Sequence, residues 1–369
     1  MSEPAKDLIR FLRTALFIIA AAALINFVVD PLQIFRPARL FTAMYSEDSR
    51  LQDAGLIRSQ AYDTLFMGTS LAMHFRQSDI DRVLGVKSLK LALNGSSSRE
   101  QVFVLDAALA RRPNRVIWEI DDWIFHDSPE IDANAYFPAD LYRRNAKGIA
   151  GYLLSGAMAR EALWIAARSI SALEPIIARL TSEALFSFAI ARVDDINALR
   201  PDEEAIFSAT RAKAAFAYIT DPIRRKFLLD DTDYDMKVRV FERDAVSLIR
   251  SHPDVAFDIY LPPYSILQWV ALRDTSPKTL ESVYAFSAYS CRRLMDFPNV
   301  RLFDFRAVRE VTHDLNNYSD VIHHSPAINL KVLSWLAEGK YRVERVAPTR
   351  YLDELKAQVE AYRVEKGDR

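Results

Sequence analysis

A serine, an aspartate and a histidine give the clearest chemical signal in this sequence. Ser70 follows the apolar run Leu65-Phe66-Met67, and Asp320 and His323 lie far downstream in "YSDVIHHS". A serine with a distant Asp-x-x-His is the set of side chains that nucleophilic acyl chemistry requires. His323 would take the Ser70 proton as general base, and Asp320 would fix the imidazole tautomer. Their three-residue spacing lets both side chains leave one turn toward the same pocket.

Donors for a developing oxyanion are expected close to the same serine. Gly95 follows a predicted strand and precedes a predicted helix N-terminus. Its backbone N–H, together with that of Ser70 or Leu71, is placed to face a negative oxygen in the transition state. Asn94 adds a side-chain donor beside Gly95.

Each of these residues also has an ordinary structural interpretation. Serine is a favoured helix N-cap, so Ser70 alone would be explained by capping. His324 competes with His323 for the role of base, and His313 with Asp314 forms a second acid–histidine pair upstream. The Asp-x-x-His spacing favours His323.

Further polar side chains lie near the predicted site. Carboxylate and imidazole groups that could bind a metal follow the third predicted strand, at Asp121, Asp122, His126 and Asp127. A metal-dependent phosphoesterase built on the first three of them is one alternative, but carboxylates at a strand end more often cap a turn. We therefore predict no metal or organic cofactor. We place Asp121 in the pocket and His74, about one helical turn after Ser70, in its wall.

Five short apolar segments alternate with amphipathic helices and must position these residues. The predicted strands lie at 62–68, 86–95, 114–122, 255–265 and 300–306. Such alternation predicts an α/β fold with a parallel sheet, and ligands bind at the carboxyl ends of parallel strands. The candidate polar positions all lie at or after such ends: Ser70, Asn94-Gly95, Asp121-Asp122 and the loop with His323.

Helix starts are marked by serines. Ser78 is predicted to cap one helix, and two overlapping capping boxes are predicted, Ser97 with Glu100 and Ser98 with Gln101. Between 140 and 250 the chain is almost entirely helical, and this stretch is predicted to be an inserted subdomain. The predicted organisation is therefore an anchor with a juxtamembrane segment at 1–39, α/β parts at 40–139 and 251–340 around the insertion, and a C-terminal helix at 341–369.

The N-terminal segment is apolar enough to cross a membrane. The stretch 15–29 holds one polar residue, Asn26, and no charge. Extended back to Leu8 it reaches the length needed for a hydrocarbon layer of about 30 Å at about 1.5 Å per residue. Lys6, Arg10 and Arg13 precede it, so the positive-inside rule places the N-terminus in the cytoplasm. An uncleaved single-pass anchor is favoured over a cleaved signal peptide or a buried helix, because no A-x-A site follows the apolar core.

Composition excludes several other classes of protein. The 369 residues hold 48 Lys and Arg against 49 Asp and Glu, a balance that gives no electrostatic case for nucleic acid. With 9 glycines and no G-x-G-x-x-G or Walker A pattern, no nucleotide fingerprint is present. The single cysteine, Cys291, excludes an intramolecular disulfide and a Cys-based zinc site.

Three segments resemble a known family. "GTSLAMHFRQSDIDRVLGVKSLKLALNGSSSREQ" is similar to the opening blocks of bacterial SGNH-type, GDSL-like proteins, and "YSDVIHHSPAIN" resembles their last block. "RVIWEIDDWIF", the N-terminal anchor and "DPLQIF" resemble the membrane-anchored subset associated with surface polysaccharides. The resemblance covers residues 1–135 and 255–337.

The resemblance implies a flavodoxin-like SGNH three-layer fold and assigns roles to four residues. Ser70 would be the nucleophile, His323 the base, Asp320 its partner and Gly95 an oxyanion donor. The family's hydrolases usually have an Asn in a G-x-N-D block, and "EIDDW" has none.

The expected function is therefore a serine esterase or O-acyltransferase. It would act on acyl esters of a cell-envelope glycan, outside the cytoplasmic membrane. The insertion would serve as a lid or as a docking surface for a polysaccharide export or acylation complex. The alternative is a non-catalytic SGNH-like module that binds glycan or scaffolds such a complex.

Overall fold

The computed structural model describes residues 2–46, 48–134, 136–169, 192–193, 206–221 and 233–364. The chain divides into two compact units, residues 1–61 with 131–196 and residues 62–130 with 197–369. The described helices of the 140–250 stretch are shared between them. Those up to Ser169 belong to the first unit, and those from Ala209 onward belong to the second.

A five-stranded parallel sheet forms the centre of the second unit. Its strands are β1 (Thr64–Gly68), β2 (Ser88–Ala92), β3 (Arg115–Glu119), β4 (Ala256–Leu261) and β5 (Val300–Asp304). They lie in the order β2-β1-β3-β4-β5, and every neighbouring pair is parallel. This is the strand order of flavodoxin-like sheets, whose ligand crevice opens between the first and third strands. The predicted parallel α/β sheet is confirmed.

Each strand is largely an apolar run, as expected for strands in which nearly every residue is buried. All five residues of β1 are buried, and β3 is exposed only in part at Arg115. Strands covered on both faces have such continuous apolar runs instead of alternation. Where charge enters the sheet it is paired, since Arg115 and Arg301 both contact the buried Asp258 carboxylate.

Helices pack around this sheet, and a cluster of buried apolar side chains joins several of them to it. Their bounds are Ser70–Met73, Gln77–Leu84, Ser98–Leu109, Ala209–Thr220, Tyr234–Phe241, a π-turn at Glu242–Val246, Ser247–Ser251, Ile266–Thr275, Pro277–Leu294, Arg309–Thr312, Pro326–Glu338 and Arg350–Ala361. Short 3-10 turns lie at Asp122–Ile124 and Leu315–Asn317. The Ser97–Glu100 capping box is present, with both reciprocal hydrogen bonds.

Two predicted helix caps are wrong. The helix Gln77–Leu84 begins one residue before Ser78, with Arg76 at its N-cap. The Ser98 hydroxyl donates instead to the Asp244 carboxylate at 2.6 Å. Gln101 bonds the Ser96 hydroxyl and the Trp118 indole, so both residues of the second predicted box are used in packing helices and strands together.

The first unit is helical, with one small sheet. Its helices are Glu3–Val29, Ser49–Ser59, Ala139–Arg143, Ala146–Leu153 and Gly156–Ser169, with a 3-10 turn at Ile131–Ala133. Tyr45–Ser46 pairs antiparallel with Arg192–Val193. Within the described residues one helix, Glu3–Val29, is long and apolar enough to span a membrane, and only 11% of its most apolar window is buried.

The end of this long helix is part of a folded core. The Asn26 amide donates to the backbone oxygens of Leu153 and Ser155 at 2.8 and 3.0 Å. The Asp30 carboxylate accepts from three successive backbone N–H groups, those of residues 34–36, and from the Tyr152 hydroxyl. Leu32 and Ile34 are fully buried beside it. The first unit therefore includes residues from Asn26 onward that were predicted as anchor and juxtamembrane segment.

Candidate functional site

Ser70 is placed by the abrupt end of β1. The strand stops at Gly68, Thr69 is the N-cap, and Ser70 begins the four-residue helix Ser70–Met73. The Leu93 N–H donates to the Gly68 oxygen at 2.9 Å, so the loops after β1 and β2 leave the sheet side by side. Ser70 is therefore not the helix cap, and its hydroxyl has another partner.

That partner is His323, and the structure brings Ser70, His323 and Asp320 into one hydrogen-bonded chain. The Ser70 Oγ lies 2.8 Å from His323 Nε2, and His323 Nδ1 lies 2.6 Å from an Asp320 oxygen. In this arrangement Nδ1–H donates to the carboxylate, and Nε2 is left to accept the hydroxyl proton. It is the relation between nucleophile, base and orienting acid that activates a serine.

The loop that carries Asp320 and His323 is fixed by backbone bonds. The second Asp320 oxygen accepts from the N–H groups of Ile322 and His323 at 2.7 and 2.8 Å. Both the hydroxyl and the N–H of Ser265 donate to the Val321 oxygen. The loop after β4 thus holds the loop after β5, and the imidazole direction is set before any ligand binds.

The Asp320 carboxylate stays ionised in this setting. Burial alone would raise its pKa, but the hydrogen bond and charge of His323, with the two backbone N–H donors, lower the pKa below its usual value. A permanently charged acceptor at Nδ1 stabilises the imidazolium that would form when Ser70 loses its proton.

Unused backbone donors surround the serine. The N–H groups of Ser70, Leu71 and Gly95 make no hydrogen bond to any described residue. Gly95 has a left-handed φ of 59° and is exposed, as is Asn94. Because the Leu93 N–H bonds the Gly68 oxygen, these donors lie on neighbouring loops at the ends of β1 and β2.

Glu119 is a site residue that the sequence reasoning missed. It ends β3, is fully buried, and accepts a 2.9 Å hydrogen bond from the Thr69 hydroxyl. Burial is the main cause that raises its pKa to about 8, and the Asp121 charge adds to this. A neutral carboxylic acid at pH 7 therefore supports the residue that precedes the nucleophile. The only sequence signal was a lone acid inside the apolar run "VIWEI".

The side chains of Asp121 and Asp122 bond different groups of buried residues. The Asp121 carboxylate accepts from the Tyr264 hydroxyl and the Trp123 N–H, and burial raises its pKa to about 6. Asp122 faces the buried Arg306 and Ser287. Among the described residues no group of three His, Cys, Asp or Glu side chains could hold a metal. The structure does not bring Asp121, Asp122 and His126 of the metal alternative together, and His126 bonds the Trp123 oxygen.

Three other histidines were candidates for the site or its wall, and each has a different environment. His74 lies edge-on to His323, with ring centroids 6.1 Å apart, so it borders the triad. His324 is buried against Phe75, and burial lowers its pKa to about 3. His313 contacts the Tyr362 ring, while Asp314 caps a turn at Asn316. The Ser70 hydroxyl thus bonds His323 and neither of the two alternatives, His324 and His313.

No protein-family model matches the chain, and no curated protein is significantly similar to it.

Proposed function

We propose that this protein is a membrane-anchored serine esterase or O-acyltransferase of the SGNH-like kind. The observation that supports the proposal most directly is the hydrogen-bonded chain from Ser70 through His323 to Asp320. The flavodoxin-like strand order and the position of Ser70 directly after β1 agree with the SGNH resemblance.

The geometry supports an acyl transfer in two halves. Ser70 Oγ attacks an ester carbonyl while His323 Nε2 takes its proton, and the tetrahedral oxygen receives hydrogen bonds from free backbone N–H groups. His323 then gives the proton to the leaving alcohol, which leaves an acyl-serine. Water or a sugar hydroxyl attacks that ester, with His323 as base again, and Ser70 is regenerated.

The proposed substrate is an acyl ester of a cell-envelope glycan, outside the cytoplasmic membrane. Lys6, Arg10 and Arg13 lie in the first half of the helix Glu3–Val29, before its apolar stretch 15–29, which favours a cytoplasmic N-terminus and a body on the other side. The burial of Asn26 and Val29 at the helix end favours retention of the helix over cleavage. A polysaccharide export or acylation complex is the proposed partner.

A second candidate is a glycan-binding module without catalysis. It is favoured by one observation, the absence of the G-x-N-D asparagine. At the corresponding end of β3, Asp121 presents a carboxylate held by Tyr264 and the Trp123 N–H. A carboxylate cannot donate to an oxyanion unless it is protonated.

The deciding experiment is fluorophosphonate labelling of the full-length chain in detergent. Attack of Ser70 Oγ on phosphorus expels fluoride, so the probe reports an activated serine. We expect labelling of the wild type and of Ser78→Ala, which removes an exposed serine, and none of Ser70→Ala or His323→Ala. A folded wild type that does not label would reject the esterase and leave the binding module.

A further inference from the structure

A second concave site adjoins the triad on the Asp320 side. A cavity of about 730 Å³ is bordered by the loops after β3 and β5 and by the helices Ala209–Thr220 and Ile266–Thr275. Asp320 and Ile322 line it, so the loop that carries His323 forms part of its wall. Its volume is in the range of small-molecule sites and exceeds what a short acyl group fills.

Polar groups without partners face this cavity. Gln268 is 7% exposed, and its amide makes no hydrogen bond to any described residue. The Ser319 hydroxyl is likewise unbonded within the described part of the chain. A hydrocarbon occupant would exclude water from this amide without replacing its hydrogen bonds, which is costly. A ligand with hydroxyl groups would supply those bonds.

The lining also includes one cation, the Asp320 carboxylate, two aromatic rings and several apolar side chains. The Arg211 guanidinium makes no ion pair or hydrogen bond to a described residue. Guanidinium forks bind carboxylates through two parallel hydrogen bonds. Trp123 and Tyr218 supply flat apolar surface of the kind against which the C–H face of a sugar ring packs.

From these groups we infer that the cavity is a subsite for a uronate residue of the glycan. Arg211 binds the carboxylate, Gln268 and Ser319 bond ring hydroxyls, and the aromatic surface takes the sugar face. The inference rests on the proposed function, because it deepens it to an anionic glycan bound beside the acyl-transfer centre.

The test is saturation-transfer NMR of full-length protein in detergent with galacturonate, glucuronate or mannuronate. The methyl esters of the same sugars serve as charge-free controls. We expect uronate binding that the esters lack. Arg211→Gln should weaken it about tenfold or more, because a charge-assisted pair is lost. Gln268→Leu should weaken it less, and Lys213→Gln, a charge loss on the same helix outside the cavity lining, should leave it unchanged.

Two outcomes would overturn the subsite, and they differ from failure of the esterase. Absence of binding by all three uronates, or equal binding by their methyl esters or by Arg211→Gln, would reject it. Ser70→Ala should bind uronates as the wild type does. Uronate binding without serine labelling would therefore reject catalysis alone, and labelling without binding would reject the subsite alone.

Discussion

Asp320 orients His323 through its side chain and its backbone at once. One carboxylate oxygen faces Nδ1, and the other caps the turn through two N–H groups. An amide at this position would keep the shape of the turn but could present N–H to Nδ1. That would favour the imidazole tautomer whose Nε2 carries the proton and cannot accept one from Ser70.

We therefore expect Asp320→Asn to slow fluorophosphonate labelling by a factor on the order of 10⁴, the loss known for the same change in a serine protease. Labelling rates measured against probe concentration would check this. Asp314→Asn changes a nearby turn-capping aspartate and should label at the wild-type rate. Equal rates for Asp320→Asn and wild type would show that the carboxylate does not set the tautomer.

Glu119 makes stability depend on pH in an unusual direction. Its pKa rises from 4.5 to about 8 on folding, so between these values only the folded chain holds the proton. Unfolding free energy then falls as pH rises through this window, by roughly 1.4 kcal/mol per pH unit for one such group. Asp121, raised from 3.8 to about 6, acts in the same direction at lower pH.

We predict that Glu119→Gln removes most of the loss of stability between pH 5 and about 8. Thermal unfolding of full-length protein at a series of pH values would measure it, with the exposed Glu338→Gln as control. The amide oxygen can still accept from Thr69, so the variant is expected to fold. A stability curve as steep as that of the wild type would mean that Glu119 is ionised in the folded chain.

At the residue scale, the sequence predicted which side chains meet but not what supports them. Ser70 follows β1, and Asp320 and His323 follow β5 after a short helix and a 3-10 turn. Strand ends of a parallel sheet converge, so chain order, the Asp-x-x-His spacing and the family resemblance together indicated them. Glu119 was hidden because an acid within an apolar strand shows no periodicity. The cavity groups Arg211 and Gln268 lie on separate helices, and only the folded chain brings them together.

At the scale of elements, strands were easier to predict than caps. Each β-strand is a short apolar run between turn residues, and all five are found. The caps at Ser78 and Ser98 failed because several adjacent residues can cap, and tertiary partners such as Asp244 decide which serine is free to do so. The helices of the 140–250 stretch are amphipathic, but amphipathicity does not reveal which unit each helix packs in.

The turn after β1 depends on the absence of a side chain at Gly68. An added Cβ would meet the Ala72 Cβ at 2.7 Å and the Glu119 side chain at 2.9 Å. We expect Gly68→Ala to lower the unfolding free energy by about 1–3 kcal/mol through overpacking and to slow serine labelling, because the helix that begins with Ser70 must shift.

Gly95→Ala is the matched comparison for Gly68→Ala. Its Cβ would meet nothing within 4 Å, but its φ of 59° strains a non-glycine residue. We expect a smaller cost of about 1 kcal/mol, without steric displacement of Ser70. Chemical denaturation and labelling rates of both variants would separate crowding from backbone strain. A Gly68→Ala variant that is stable and labels normally would contradict the crowding argument.

At the scale of the whole molecule, the apolar helix and the first unit are continuous. The helix ends at Val29, yet Asn26, Asp30 and Leu32 already belong to the core formed with residues around Tyr152. Hydrogen bonds to the buried Asp30 carboxylate fix residues 34–36 directly after the helix. A soluble form cut at residue 40 would therefore lose part of a fold, whereas a cut before Ile25 would remove mainly the exposed apolar surface.

Two truncations should consequently behave differently. We expect removal of residues 2–24 to release the chain from membranes while backbone amides of Ala146–Leu153 keep slow hydrogen exchange. Removal of residues 2–39 should expose those amides to fast exchange, because the groups bonded to Asn26 and Asp30 lose their partners. Exchange in the helix Ile266–Thr275 of the other unit serves as internal reference. Asp30→Ala in the full-length chain should reproduce part of the effect. Equal protection in both truncations would mean that the first unit folds without its N-terminal segment.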